Sequence, residues 1–273
     1  MSEWPQSLTL IGAGKMGEAL LRGWLGGGLD SHGVTILEPN PSPAIAALAA
    51  ERGIALNPPR AALRAPEALM LAIKPQMLDD AAPAIAPLAG PQTLVISILA
   101  GKRIADLAAR LPAARAFVRV MPNTPAAVGR GASAGAANAS VTAEQRGWTE
   151  KLMRAVGLFD WLDDEALIDA VTALSGSGPA YVFALVEALA EAGEGVGLPP
   201  EFSMRLARAT VEGAGELLHS EPGVAAAKLR ENVTSPGGTT AAALNVLRGS
   251  DGLGSLLAKA VKAARDRARE LAG

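Results

Sequence analysis

The chain has 273 residues, with 25 Lys and Arg against 27 Asp and Glu and no basic cluster, a balance that argues against nucleic acid and anionic membranes as partners. It has no cysteine, and its two histidines, His32 and His219, lack the spacing of metal ligands, so we expect no disulfide, thiolate nucleophile or bound metal. We find no uninterrupted apolar segment close to the roughly 18 residues of a membrane span, and therefore expect a soluble, cytoplasmic protein.

The first half of the chain alternates short apolar strands with helical segments. The first strand is predicted at residues 8–11 and is followed by a glycine-rich turn and a helix over 18–25. Further strands are predicted at 34–38, 68–73, 94–97 and 116–120, and an Ala-rich helix is predicted over about 44–52. This alternation predicts the α/β class, with a doubly wound (Rossmann) parallel sheet covered by helices on both faces.

The strand pattern stops at about residue 165, and the rest of the sequence predicts helices broken by Gly and Pro. A helix is expected to begin at Pro199-Pro200-Glu201 and another to stop at Glu221-Pro222-Gly223. We therefore predict a dinucleotide-binding Rossmann domain over 1–164 and an all-α domain over 165–273. The helices predicted near 169–191 and 204–218 carry small or apolar residues over most of their circumference. A single domain of this size could not cover them, so we predict that it forms at least a dimer.

Six residues form a Gly-x-Gly-x-x-Gly turn directly after the first strand: Gly12, Ala13, Gly14, Lys15, Met16 and Gly17. Such glycines permit a tight turn, close approach of a pyrophosphate and close helix packing, so all six are predicted to contact a dinucleotide. Glu38, at the end of the second strand, can accept hydrogen bonds from the adenosine ribose but would repel a 2′-phosphate. We therefore expect NADH to be used at least as well as NADPH, unless Arg60 reaches that phosphate. A tight turn without a ligand is the alternative.

Four later segments carry a resemblance to a known family: Ala72-Ile-Lys-Pro-Gln76, Met121-Pro-Asn-Thr-Pro125, Leu174-Ser-Gly-Ser-Gly-Pro-Ala-Tyr181 and Val233-Thr-Ser-Pro-Gly-Gly-Thr-Thr240. With them the chain resembles the pyrroline-5-carboxylate reductases over essentially its whole length. The resemblance implies hydride transfer from NADPH or NADH to the C=N bond of 1-pyrroline-5-carboxylate. The product would be L-proline, in the last step of proline biosynthesis. It also implies a homodimer or a higher homo-oligomer.

The resemblance further implies individual site residues. It implies cofactor contacts for Ile73, Lys74, Ala100, Asn123 and Asn232, and contacts to the substrate for Glu165, Thr239 and Thr240. From the residues alone, Lys74 is also explained as a solvated lysine, Asn123 as a turn former, and Glu165 as part of a solvated acidic linker. The Ser-Gly-Ser-Gly segment that ends at Gly178 is also explained as a place where helices cross closely.

The segment from Ser235 to Thr240 is expected to hold the substrate carboxylate. It precedes an Ala-rich helical stretch, so free backbone N–H groups and hydroxyls at Ser235, Gly238, Thr239 and Thr240 would form an anion site at a helix N-terminus. Thr240 is the predicted catalytic residue, because its hydroxyl can donate to the ring nitrogen or to the carboxylate. Ordinary capping by Thr239 or Ser235 is the alternative.

The sequence departs from the family at two positions on the adenosine side. Arg60 stands where many relatives have Asn, and Glu38 stands where relatives that favour a 2′-phosphate tend to have small or polar residues. Two other functions stay open, a hydroxy-acid dehydrogenase of similar plan and a dinucleotide sensor without turnover. The dehydrogenase would need a base in the helical domain, but Tyr181 is followed by Leu185 and not by Lys, and His219 lies beside a helix stop.

Overall fold

The computed structural model describes residues 3–272. Its strands are β1 (Leu8–Ile11), β2 (Val34–Leu37), β3 (Ala55–Leu56), β4 (Ala68–Leu71), β5 (Leu94–Ser97), β6 (Ala116–Met121), β7 (Gly131–Ala137) and β8 (Gly157–Trp161). The helices among them are α1 (Lys15–Gly26), α2 (Pro43–Arg52), α3 (Leu78–Ile85), α4 (Ile104–Arg110), α5 (Ala143–Arg154) and α6 (Ile168–Val171). The helices that follow are α7 (Gly178–Gly195), α8 (Pro200–Ser220), α9 (Ala226–Asn232), α10 (Thr239–Leu247) and α11 (Leu253–Ala272).

The eight strands form one sheet in the order β3-β2-β1-β4-β5-β6-β7-β8. All neighbouring strands are parallel except β6 and β7, which are antiparallel. This order confirms the predicted Rossmann sheet, and each of the five predicted strands is present. The sequence did not predict β3, β7 or β8.

Two hydrophobic clusters cover the two faces of the sheet. Along β4, Ala68 and Met70 face one cluster, which includes Trp24, and Leu69 and Leu71 face the other. Because both faces are covered, β4 and β5 are buried at every position, which explains their continuous apolar sequences. Each buried large aliphatic side chain stabilises the fold by about 1.5–3 kcal/mol.

Contacts between residues divide the chain into two compact units, one of residues 1–177 with 264–273 and the other of residues 178–263. The predicted division at 164/165 lies earlier in the sequence. Residues 165–177 belong to the unit that holds the sheet. Within them, Ile168 and Asp169 of α6 are buried, and α6 contacts β6 and β7. The end of α11 also groups with that unit.

The second unit consists of α7 to α10 and most of α11. Its helices α7 and α8 cross closely, with the Ser203 hydroxyl donating to the Ala190 carbonyl oxygen at 2.6 Å. Within residues 178–263 the buried residues are Ala190, Ser203 and Ala207. Large apolar side chains remain exposed, such as Phe183 at 63% and Val246 at 76%. This unit therefore exposes many of its large apolar side chains.

One helical run, Glu165–Gly195, is long and apolar enough to cross a membrane by length and composition alone. Of its most apolar stretch of 18 residues, 11% is buried within the chain. No such segment is predicted from the sequence. The run arises because α6, a π-helical turn at Thr172–Gly176 and α7 follow one another without a long loop. A helix that packs against a second protein chain has the same length and composition.

Candidate active site

The glycine-rich turn between β1 and α1 requires glycine at both of its ends. Gly12 has a φ of +89°, and a Cβ there would lie 2.8 Å from the carbonyl group of Ala72. A Cβ at Gly17 would collide with the carbonyl oxygen of Gly12. These contacts allow β1, β4 and α1 to approach each other closely. The two glycines therefore shape the turn, whatever it binds.

The middle of the same turn is open. A Cβ at Gly14 would meet nothing within 4 Å. Gly14 is the N-cap residue of α1, and within the described part of the chain no side-chain hydrogen bond caps this helix. The first N–H groups of a helix have no partner within the helix, and the helix dipole favours negative charge at this end. Open space beside uncapped N–H groups is the arrangement that a dinucleotide pyrophosphate requires. The residues present therefore fit a bound dinucleotide.

Glu38 lies beside this turn. Its Oε2 accepts a hydrogen bond from the Ala13 N–H at 2.9 Å, and its Oε1 accepts one from the Asn40 N–H at 3.0 Å. Asn57 holds the backbone of Glu38 on both sides, since Asn57 Oδ1 accepts from the Glu38 N–H at 2.9 Å and Asn57 Nδ2 donates to the Glu38 carbonyl oxygen at 2.7 Å. The structure thus brings the glycine turn and the predicted ribose-binding acid together.

Ile73, Lys74 and Ala100 lie just beyond the carboxyl ends of β4 and β5. A Cβ on Gly12 would lie 2.9 Å from Ile73 Cγ2, so Ile73 is next to the glycine turn, while the Lys74 side chain is exposed. A cavity of about 320 Å³ opens at the same edge and is lined by residues that include Gln76, Ala100 and Lys102. Ligands of open parallel sheets bind at this edge, so the three residues are suitably placed for a cofactor.

Asn123 is predicted to contact the nicotinamide half of the cofactor, but its side chain serves the fold. The residue is 7% exposed. Its Oδ1 accepts from the Ala132 N–H at 2.8 Å, and its Nδ2 donates to the Ser175 carbonyl oxygen at 3.0 Å. These bonds tie the end of β6 to β7 and to the π-helical turn. The turn-forming explanation therefore accounts for the side chain, and the cofactor contact stays a prediction.

Glu165 is likewise engaged within its own unit. Its Oε1 accepts from the N–H of Ile104, the first residue of α4, at 2.8 Å, and lies 3.5 Å from Arg119 Nη1. Arg119 projects from β6, is 3% exposed and also lies 3.4 Å from Asp169 Oδ1. Glu165 is therefore no free acid in a solvated linker. It caps α4 from outside and pairs with a buried cation.

Arg119 is not among the site residues predicted from the sequence. An arginine in the middle of an apolar strand was the available signal, because a buried guanidinium requires carboxylate partners. Glu165 also borders a cavity of about 410 Å³ that is lined by Arg103 and Arg269 as well. Its Oε2 has no hydrogen-bond partner among residues 3–272. That oxygen can therefore accept a hydrogen bond from substrate, and the contact of Glu165 with substrate stays a prediction.

The remaining predicted site residues lie in the second unit, around the turn between α9 and α10. Asn232 is the last residue of α9, Gly237 has a φ of +69°, and Gly238 is the N-cap residue of α10. Among residues 3–272, the structure shows no side-chain hydrogen bond that caps α10. The Gly238 N–H donates instead to the Ser235 carbonyl oxygen at 3.0 Å. The start of α10 therefore suits an anion, and the predicted contacts of Ser235, Thr239 and Thr240 with substrate stay predictions.

The segment Leu174–Tyr181 contains the π-helical turn. The Ser177 N–H donates to the Thr172 carbonyl oxygen at 2.8 Å, five residues earlier, and a Cβ on Gly176 would lie 2.6 Å from Met121 Cε. Gly176 therefore lies against the flexible end of the Met121 side chain, next to the end of β6. Such π turns occur frequently near functional sites.

Comparison with known proteins identifies the family. The family model described as pyrroline-5-carboxylate reductase dimerisation matches residues 165–271. Another, described as NADP oxidoreductase, coenzyme F420-dependent, matches residues 7–101. A pyrroline-5-carboxylate reductase of Pseudomonas aeruginosa is 41% identical over 266 residues, which cover 97% of this chain and 96% of that protein. The chain belongs to the pyrroline-5-carboxylate reductase family.

Solved structures of this family agree with the assignment. A pyrroline-5-carboxylate reductase from Coxiella burnetii matches with a TM-score of 0.90 and 34% identity, covering 98% of this chain and 99% of that one. Plasmodium falciparum pyrroline carboxylate reductase, solved with NADP bound, matches with a TM-score of 0.80 and 27% identity, covering 98% of each chain. The predicted family and fold class are confirmed. Among the described residues, no group of three or more His, Asp or Glu side chains could hold a metal ion.

Proposed function

We propose that this chain is an NAD(P)H-dependent imine reductase that converts 1-pyrroline-5-carboxylate to L-proline, the last step of proline biosynthesis. The observation that carries the proposal is the likeness of the whole chain to reductases of that name, such as the 41% identity to the Pseudomonas aeruginosa protein. The local chemistry supports it, because the open glycine turn suits a dinucleotide and the uncapped start of α10 suits a carboxylate.

The proposed cofactor contacts follow the edge of the sheet. The N–H groups at the start of α1 hold the pyrophosphate, and Glu38 accepts hydrogen bonds from the adenosine ribose. Ile73, Lys74 and Ala100 line the space beyond β4 and β5, and Asn232 is a further proposed cofactor contact. Asn123 contributes by holding β6, β7 and the π-helical turn in place.

The proposed reaction adds hydride to the ring carbon next to nitrogen, and the bound nicotinamide supplies that hydride. The imine is basic enough to arrive protonated, so the chain needs no obligatory acid. The N–H groups of α10 and the hydroxyls of Ser235 and Thr239 bind the substrate carboxylate, and the Thr240 hydroxyl donates to the ring nitrogen or to the carboxylate. Positioning of this kind supplies most of the rate enhancement.

We further propose that the active protein is a homodimer or a higher homo-oligomer, formed through the second unit. The exposed apolar side chains of α7, α8 and α10 need a partner surface, and the dimerisation family model spans these helices. A second protein chain accounts for the apolar run Glu165–Gly195. We place the enzyme in the cytoplasm, which suits a chain without disulfides.

The two alternative functions receive no support from the site. A hydroxy-acid dehydrogenase would require a general base, and neither the sequence around Tyr181 nor the position of His219 near the end of α8 provides one. A sensor that only bound dinucleotides would have no use for the open glycine and threonine turn before α10.

A substrate panel tests the proposal. The purified full-length protein is mixed with NADH or NADPH and with 1-pyrroline-5-carboxylate or a series of 2-keto acids, and loss of nicotinamide absorbance is followed. We expect oxidation of the cofactor with the imine only, with proline as the product by mass spectrometry. Turnover of a keto acid at a comparable rate, or no turnover of the imine with either cofactor, would contradict the proposed function.

A further inference from the structure

We propose that Glu38 makes this enzyme selective for NADH over NADPH. Its carboxylate binds the 2′- and 3′-hydroxyls of the adenosine ribose and occupies the place that the 2′-phosphate of NADPH would need. The inference rests on the proposed function for the identity of the cofactor, but it concerns the adenosine end and not the reacting end.

The first support is that the Glu38 carboxylate is held in a fixed position. Two backbone N–H groups, those of Ala13 and Asn40, donate to its two oxygens. A carboxylate offers about four acceptor positions, so these bonds leave about two for ribose hydroxyls. Because Ala13 belongs to the glycine turn itself, the fixed carboxylate lies where a dinucleotide must pass.

The second support is the backbone of Asn57. With a φ of +47°, it is the one non-glycine residue at positive φ in the described part of the chain. Such a conformation disfavours a residue with a Cβ and persists when the surroundings require it. Here it allows the side chain of Asn57 to bond both the N–H and the carbonyl oxygen of Glu38. Asn57 therefore acts as a positioning residue for Glu38.

The third support is the local charge. A 2′-phosphate beside a fixed carboxylate suffers like-charge repulsion, and it needs cations that face it. The Nη1 of Arg64 points to the backbone, since it donates to the carbonyl oxygens of Ala61 and Leu63 at 2.7 and 2.8 Å. Arg60 is exposed, and its side chain forms no hydrogen bond among residues 3–272. The variant Arg60→Ala therefore tests whether Arg60 binds the 2′-phosphate.

The test compares binding of the two cofactors to the full-length protein in the absence of imine, by calorimetric titration, and then compares kcat/KM for each cofactor with imine present. For the wild type we expect NADH to bind at least about tenfold more tightly than NADPH. Glu38→Ser should shift the ratio of the two dissociation constants towards NADPH by at least about tenfold. Glu38→Gln, which keeps the shape and removes the charge, should shift it in the same direction.

Glu51→Gln is the matched control, because it removes one negative charge from the exposed surface of α2, where Glu51 forms an ion pair with Arg52. It should leave the ratio of dissociation constants unchanged within about twofold. Arg60→Ala should also leave the ratio unchanged. Thermal unfolding of each variant shows whether it is folded. If a Glu38 variant does not fold, the wild-type ratio and Arg60→Ala still decide the question.

Wild-type protein that binds NADPH as tightly as NADH would overturn the inference, and so would a ratio that Glu38→Ser does not change. A preference for NADPH that Arg60→Ala removes would assign the 2′-phosphate to Arg60. Failure of the proposed function looks different. In that case neither cofactor is oxidised with the imine, while the binding titrations still report which dinucleotide the site prefers.

Discussion

Replacing Glu165 by alanine separates a role in the fold from a role in substrate binding. The change removes the acceptor for the Ile104 N–H at 2.8 Å and one of the two carboxylates near the buried Arg119 guanidinium. A hydrogen bond to a charged group contributes about 1.5–3 kcal/mol, and the 27% exposure of the Glu165 side chain places it in the lower part of that range. With the weakened pairing of Arg119 added, we expect a loss of about 2 to 3 kcal/mol.

The measurement is thermal unfolding at one fixed protein concentration, since an oligomer's Tm depends on concentration. The expected drop in Tm is about 4 to 10 °C. Glu165→Gln should lose roughly half as much, because its amide oxygen can still accept from Ile104. Asp163→Asn is the control, since Asp163 is exposed and has no recorded hydrogen bond or ion pair among residues 3–272. It should leave the Tm unchanged.

If Glu165→Ala unfolds at the same temperature as Asp163→Asn, Glu165 does not stabilise the fold through these contacts. A fall of more than about tenfold in kcat/KM for the imine, with unchanged Tm, would instead assign Glu165 to the substrate. A lower Tm with kcat/KM within about threefold of the wild type is the outcome that the observed contacts predict.

Two further predictions concern α10 and the contact between α3 and α4. Thr240→Ala should lower kcat/KM for the imine by about 10- to 100-fold, because one hydrogen bond to the substrate is lost. Tm should stay nearly unchanged, since among residues 3–272 no side-chain hydrogen bond caps α10, and cofactor affinity should also stay nearly unchanged. Loss of cofactor binding would refute the placement of Thr240 at the substrate. The Arg110 side chain donates a hydrogen bond to Asp79 and lowers the pKa of that carboxyl. The pair therefore stabilises the fold above about pH 4, and this stabilisation is lost as the pH falls through the lowered pKa. Asp79→Asn should therefore lower Tm at pH 7, with a smaller difference from the wild type near pH 3; an equal difference at both pH values would contradict the argument.

The sequence by itself determined the elements whose signal is local. Buried strands such as Leu8–Ile11 and Leu94–Ser97 are continuous apolar runs, and the start of α8 at Pro200 and its end at Ser220 follow from nearby Pro and Gly. The glycine turn is also local, because only glycine tolerates the backbone of residue 12 and the close approach at residue 17. The four family segments together were sufficient to identify the family.

Only the tertiary structure decided the features that depend on residues far apart in the chain. Strand β7 consists of Gly, Ala and Ser, which lack strand propensity, and it forms because β6 and β8 pair with its two edges. The side chain of Asn123 is occupied by Ala132 and Ser175, and that of Glu165 by Ile104 and Arg119. Hydrogen bonds and ion pairs of this kind depend on distance in space, and a pattern of neighbouring residues does not contain that distance.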